Sequence, residues 1–477
     1  MNKLLFIIFG GFWLQPGFAQ LPNSKPNIVF ILADDLGYGD ISVNGQQKFL
    51  TPNIDRLAFN GLNFTQFYSG ATVCAPSRSA LLTGLHTGHT YIRGNKAAFP
   101  EGEEPLAGDI ITLPEILKKA GYITGAFGKW GLGPVGTEGD PNKQGIDHFF
   151  GYNSQGLAHR YYPDHLWDNQ QKIELQENEG FKKTITYAPD LIQEKALSFI
   201  AKQSNRQPFF LFLPYILPHA ELLVPDDSIF HTYKGRFPEK PFTGKDYGAN
   251  AIDDGYSSQP YPHASFAAMV SRLDLYVGQV VAALKARGLD KNTLIIFTSD
   301  NGPHIEGGAD PDFFNSNGIY SGTKRDLYEG GIHVPFIASW PGVIKQGGST
   351  DFVGAFWDIL PTSVALAKSK FSGPTDGVSL LPVLTGSGKQ QKHDFLYWEF
   401  HEQDGKQALR QQNWKAVKLN VDSLPNGPVE LYDLANDPGE VNNLAAKFPE
   451  KVTELNQLMD KAHRPSLLFP FKYEKKQ

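Results

Sequence analysis

One stretch of the chain pairs a potential nucleophile with an anion site. Cys74-Ala75-Pro76-Ser77-Arg78-Ser79-Ala80-Leu81-Leu82-Thr83-Gly84 contains the single cysteine of the 477 residues. Pro76 suits an opening helical position and Leu81-Leu82 continue as apolar residues, so the spacing predicts a helix that starts beside Cys74. A helix start offers unpaired N–H groups and a positive dipole end, and Arg78, about one turn on, adds a planar guanidinium fork that matches an oxyanion. A lone cysteine in such a place is, by itself, more often a small buried core residue.

Other residues able to do chemistry follow short apolar runs. Ile28–Leu32 runs into Asp34-Asp35, Leu294–Thr298 into Asp300-Asn301, Ile123–Phe127 into Lys129, and Phe209–Leu213 is followed by Pro218-His219. The two acidic pairs are oxygen donors with three negative charges between them, which suits a hard cation such as calcium or magnesium rather than zinc. Either pair alone is more often a turn or a helix cap. A strand-end lysine is ordinarily a solvated charge, and a histidine beside proline is ordinarily structural.

Taken together, these residues resemble a known family. C-x-P-S-R-x-x-L-x-T-G, matched at every fixed position from Cys74 to Gly84, is similar to the signature of the type I sulfatases, and the chain resembles bacterial carbohydrate sulfatases. The resemblance implies that a maturation enzyme oxidises Cys74 to formylglycine, whose hydrated form is the nucleophile. It implies that Asp34, Asp35, Asp300, Asn301 and the modified residue 74 hold calcium, in preference to magnesium. It places Lys129, in Gly128-Lys129-Trp130-Gly131-Leu132-Gly133, on nucleophile and sulfate, and Lys324, in Gly322 to Gly331, on the sulfate. Arg78 then favours the ionised nucleophile, and His219 binds the ester and protonates the departing alkoxide. The family pattern G-K-W-H-L-G carries a histidine where this chain has Gly131, and that histidine is assigned to regenerating the aldehyde. His86 and His89, just past the signature, are candidates to replace it, and read equally as surface histidines.

The substrate is read from a histidine- and aromatic-rich segment. Gly145 to Tyr152, followed by Ala158-His159-Arg160-Tyr161-Tyr162-Pro163 and His165-Leu166-Trp167, resembles carbohydrate sulfatases that act on sulfated galactose or N-acetylgalactosamine. Such a loop can stack on a sugar face, or merely pack against itself. His159, Arg160 and His333 are the substrate-binding candidates, His333 because many families carry arginine there. Loops 244–262 and 307–318 can wall a pocket. Three other readings stay open: a phosphodiester or phosphonate hydrolase of the same superfamily, a non-catalytic sulfated-glycan binding protein, and a structural protein that uses calcium for stability.

The elements that must position these groups follow from periodicity. Apolar runs alternating with helical patterns at 113–119, 188–202 and 265–287 predict an α/β fold with a mostly parallel central sheet flanked by helices, and the resemblance makes it alkaline-phosphatase-like. After a polar linker near 387–392, short runs at 395–400, 415–419 and 429–434 and a helical pattern at 449–462 predict a smaller antiparallel sheet with one helix. The expected division is a signal peptide at 1–19, a catalytic domain at 20–388 and a C-terminal subdomain at 389–477. The signal reading rests on Lys3, the apolar Leu4 to Leu14 and the small residue Ala19, and points to a secreted or periplasmic protein. A net charge of −6 without basic runs argues against nucleic acid, and no later stretch reads as a membrane helix. One cysteine excludes an internal disulfide.

Overall fold

A computed structural model describes residues 24–251 and 255–474. The signal segment 1–19 lies outside the described residues.

The apolar run that precedes Asp34-Asp35 forms the strand Asn27–Ala33, buried at all seven positions. Alternate side chains face two separate cores. Val29, Ile31 and Ala33 point into one cluster with Ile54, Ile192, Ala196 and Leu273, while Ile28, Phe30 and Leu32 point into another with Leu81, Leu82, Leu117 and Ile359. A strand covered on both faces has no polar side, which is why it reads as an unbroken hydrophobic run. The helices Pro52–Phe59, Ala188–Lys202 and Pro262–Ala286 supply the first layer. Cys74–Thr83, Leu113–Lys119 and Ile359–Leu366 supply the second. The helix Pro262–Ala286 is long and apolar enough to cross a membrane, contrary to the reading of the sequence, yet 61% of its apolar window is buried in the first layer.

Ten strands make the central sheet, with Phe336–Ser339, Thr293–Ser299, Asn27–Ala33, Phe209–Pro214, Ile123–Lys129 and His148–Tyr152 side by side. From Thr293–Ser299 to His148–Tyr152 every pairing is parallel. Beyond this parallel core the next strands pair antiparallel, Phe336–Ser339 on one side and His165–Asp168 on the other. The register Leu32↔Pro214 and Ala33↔Ser299 brings the carboxyl ends of three strands level. Ligands of parallel sheets collect at that edge. Gly128 allows the neighbouring strands to approach there: its φ is +139°, and a Cβ would lie 2.0 Å from the Pro214 carbonyl oxygen.

The C-terminal sheet holds four antiparallel strands, Leu396–Phe400, Lys406–Gln411, Trp414–Leu419 and Val429–Asp433, packed against the helix Pro449–Ala462. Lys406–Gln411 is not apparent in the sequence because polar side chains take buried positions. Gln407 donates to the Tyr397 hydroxyl at 2.7 Å, and Arg410 meets Tyr68 and Gln66. Trp398, Phe400, Ala408 and Val417 share a core with Tyr68, Val73, Ile332 and Trp357 of the larger body. Trp398 also donates Nε1–H to the Ser69 carbonyl at 3.0 Å. Trp398→Ala is expected to cost about 3–5 kcal/mol; a urea titration should show one cooperative transition shifted to lower denaturant, with the large body unfolding together with the small sheet.

Candidate active site

At the carboxyl edge the strand ends deliver their polar residues to one buried cluster. Asp34, Asp35, Cys74 and His219 each offer an atom within 4.8 Å of the others. Cys74 opens its helix, with all ten residues buried, and its Sγ lies 3.2 Å from Asp34 Oδ1. One turn on, Arg78 donates Nε–H and Nη2–H to Asp300 Oδ2 at 3.1 and 2.8 Å and Nη1–H to the Lys129 carbonyl at 2.5 Å. Lys129 Nζ reaches Asp34 Oδ2 at 2.8 Å, and Lys324 Nζ reaches Asp35 Oδ2 at 2.7 Å. Arg78 thus ties the signature helix to two strand ends. The helix ends at Gly84, φ +72°, a left-handed cap that suits glycine.

These residues fit a hard cation. Asp34, Asp35, Asp300 and Asn301 present oxygens, and Asn301 Oδ1 is buried with no hydrogen-bond partner while its Nδ2 donates to Asp35 Oδ1 at 2.6 Å. Asp35 adopts φ +62°, and its N–H donates to Asp300 Oδ1 at 3.1 Å. Burial, together with the nearby Asp34 charge, pushes the Asp300 carboxyl up to about 7 despite Arg78. A divalent cation among these oxygens would satisfy Asn301 and relieve the crowded carboxylates.

Burial and then the Asp34 charge push the Cys74 thiol well above its ordinary range, so as cysteine it stays protonated and a poor nucleophile. Burial works against the Asp34 carboxylate, yet Lys129 and Arg78 hold it well below its usual range. Burial, then Lys324, drives the His219 pKa well down, so that imidazole is neutral. Its Nδ1 meets the Ala220 carbonyl and carries the proton, which leaves Nε2 to accept from Lys324 Nζ at 2.9 Å.

Comparison with known proteins assigns the arrangement. The Sulfatase family model matches residues 26–369, and the C-terminal model of N-sulphoglucosamine sulphohydrolase matches 318–464. The chain belongs to the sulfatase family. It is 30% identical to an N-acetylgalactosamine-6-O-sulfatase of Bacteroides thetaiotaomicron, over 92% of this chain and 93% of that one. Human arylsulfatase A is 32% identical over 91% of this chain and 87% of its own. The crystal structure of Ps i-CgsB in complex with k-i-k-neocarrahexaose superposes with a TM-score of 0.76 at 28% identity, covering 92% of both chains. This sulfatase is therefore a sulfuric ester hydrolase with the alkaline-phosphatase-like architecture that its sequence implied.

Of the three residues expected at the substrate, the structure brings one to the cluster. His159 stacks on His219, ring centroids 5.0 Å apart and 2° from parallel, beside Tyr256. Arg160 instead braces the loop behind His219: its Nη1 donates to Glu221 Oε2 at 3.0 Å and to the Lys245 carbonyl at 2.8 Å. His333 is not brought to the cluster. It is buried with Nδ1 at 3.1 Å from Glu329 and Nε2 at 3.0 Å from the Thr65 carbonyl. Nor do His86 and His89 reach residue 74. They lie beyond the far end of the signature helix, roughly 15 Å of helix away, stacked on each other and held by Asp376.

Two residues near the site carry no motif. His304 stacks on the other side of His219 at 5.4 Å, and Glu306, 3.2 Å from His304, also lies 3.8 Å from Lys324. Burial opposes charge on His304, but Glu306 and Asp35 raise its pKa, the opposite direction to His219. The position of His304, four residues after Asp300 on the same strand exit, was the available signal.

Two tests follow from these geometries. EGTA should lower the melting temperature of the wild type and calcium should restore it, while Asp300→Asn should lose most of that calcium-dependent shift, read by differential scanning fluorimetry. The second concerns His165, which the Asp164 and Glu101 carboxylates hold at 2.5 and 2.8 Å. Burial disfavours its charged form, yet these partners carry its pKa from 6.5 to about 9. A raised pKa contributes stability that is complete below 6.5 and lost as pH rises through about 9. The stability advantage of wild type over His165→Gln should therefore shrink between pH 6.5 and 9 in paired denaturant titrations.

Proposed function

We propose that this protein is an exported carbohydrate sulfatase that removes a sulfate ester from a galactose- or N-acetylgalactosamine-type sugar, using formylglycine at position 74 and a calcium ion held by Asp34, Asp35, residue 74, Asp300 and Asn301. The carrying observation is the convergence of Cys74 with Asp34, Lys129 and Lys324 at the carboxyl edge, in a pocket where a thiol stays protonated. The sugar class is supported by the similarity to the N-acetylgalactosamine-6-O-sulfatase of Bacteroides thetaiotaomicron and to Ps i-CgsB in complex with k-i-k-neocarrahexaose. The proposal includes export by the segment 1–19, maturation by a formylglycine-generating enzyme, and a boundary between catalytic domain and subdomain near 388.

Calcium supplies a fixed positive charge, and hydrated formylglycine supplies a hydroxyl that an unmodified thiol lacks. The remaining chemistry belongs to the chain. Lys129 and Lys324, both buried and both already paired with carboxylates, direct N–H donors at the sulfuryl oxygens where charge collects in the transition state. Arg78, committed to Asp300 and to the Lys129 carbonyl, holds the nucleophile's helix in register rather than the ester itself. His219 and Lys324 act as one proton donor. Lys324 is the proton source: its ammonium donates to the neutral imidazole Nε2 at 2.9 Å, so transfer from Nζ to Nε2 gives His219 the N–H that it passes to the leaving oxygen, and Lys324 is left as the neutral amine.

A panel of defined sulfated saccharides, run beside matched phosphate esters with matured enzyme, tests this reading. Turnover of the sulfates, no turnover by Cys74→Ala, and losses of about 10²–10⁴-fold in kcat for His219→Ala and Lys324→Ala are expected. Faster phosphate turnover would favour the phosphodiester or phosphonate reading. A full thiol at residue 74 in secreted protein that still binds sulfated glycan would favour the binding protein.

A further inference from the structure

Position 131 carries no side chain where the resembled family pattern has histidine, and the fold gives that space to an amide. Gly131 has φ +72°, and a Cβ there would point at Gln155, 3.5 Å from both its Cγ and its Nε2. Gln155 opens the short helix Gln155–Ala158 directly after the strand His148–Tyr152, and its backbone N–H donates to Glu103 Oε1 at 3.1 Å. Its side chain reaches the signature helix through Asn95. Gln155 Nε2 donates to Asn95 Oδ1 at 3.2 Å, and the same Asn95 oxygen accepts the N–H of Ala75, the residue after Cys74, at 3.2 Å. The Gln155 carbonyl Oε1 takes no part in this link. Gln155 is buried and Asn95 exposed, so the pair runs from the interior to the surface beside residue 74.

We infer that Asn95 and Gln155 are a positioning pair that orients the side chain of residue 74 during sulfate release, in the place the absent imidazole would have filled. The inference rests on the sulfatase reading. In release, the O–H electron pair of the remaining hydroxyl on residue 74 becomes the second carbonyl bond. The bond from that carbon to the sulfate oxygen breaks with its pair leaving on sulfate, and the proton passes to solvent water. An amide oxygen is too weak a base to keep that proton. It does accept a hydrogen bond from the hydroxyl, and this fixes the rotamer from which the carbon–oxygen bond breaks. In this proposal Gln155 Oε1 accepts that bond, while Asn95 ties Nε2 to the Ala75 N–H beside residue 74.

The test uses matured wild type, Gln155→Met, which keeps side-chain length, and Asn95→Leu, each checked for folding by its melting temperature. Slower release should lower kcat about 10–100-fold for Gln155→Met with KM falling in step. Intact-mass spectrometry during turnover should then show protein carrying one extra sulfuryl group, a species that stays low in wild type. Gly131→His, placed in Gln155→Ala where the space is vacated, should clear the adduct. Unchanged kcat in Gln155→Met, or reduced kcat without the adduct, would overturn the pair's role. Wild type that turns over no sulfate ester would instead strike the sulfatase reading, a result visible before any variant is made.

Discussion

The site depends on a charge balance assembled in the dark. Asp34, Asp35 and Asp300 face Arg78, Lys129 and Lys324, three against three, and all six side chains are buried. A single charge removed from water at this depth is strongly unfavourable, so each is tolerable only because a partner stands within hydrogen-bond reach. With the protein charges close to balance, a divalent cation among the oxygens would leave a net positive site, which an anionic ester would neutralise.

Holding six charges in register requires rigid supports, and each comes from a different part of the fold. Parallel strands deliver four of the six, Asp34, Asp35, Asp300 and Lys129, because their pairing fixes where each carboxyl end stops. The signature helix delivers Cys74 and Arg78 from one layer and is buried along its whole length. Lys324 arrives on a loop whose own anchor is the following segment. There Glu329 meets the Tyr68 hydroxyl at 2.6 Å and Lys415 Nζ at 2.9 Å, and Lys415 is fully buried in the C-terminal sheet. The small sheet is thus tied to the element that carries Lys324. The reach of the C-terminal family model back to residue 318, across the expected boundary near 388, agrees with that coupling.

Histidines divide by environment. His219 stacks with both His159 and His304, and burial with neighbouring cations keeps it neutral, while Glu306 and Asp35 shift His304 the other way, raising its pKa. His333, His86 and His89 have equal chemical ability but lie away from the cluster, His333 held by Glu329 and the Thr65 carbonyl and His89 by Asp376. Nothing in a one-dimensional pattern says which of these histidines packing brings to the cluster.

The sequence by itself determined the groups that chemistry demands at short range. Cys74 and Arg78 lie one helical turn apart, and Asp34-Asp35, Lys129 and Asp300-Asn301 sit immediately after apolar runs whose length and lack of alternation mark buried parallel strands. Only tertiary structure decided what depends on contacts across tens or hundreds of residues. It moved Arg160 behind His219, buried polar Gln407 and Arg410 in a strand with no apolar signature, and filled the space beside Gly131 with Gln155. The physical reason is that strand and helix periodicities are local properties of the chain. Which amide or imidazole faces a reactive carbon is set by packing between elements that the order of residues does not place together.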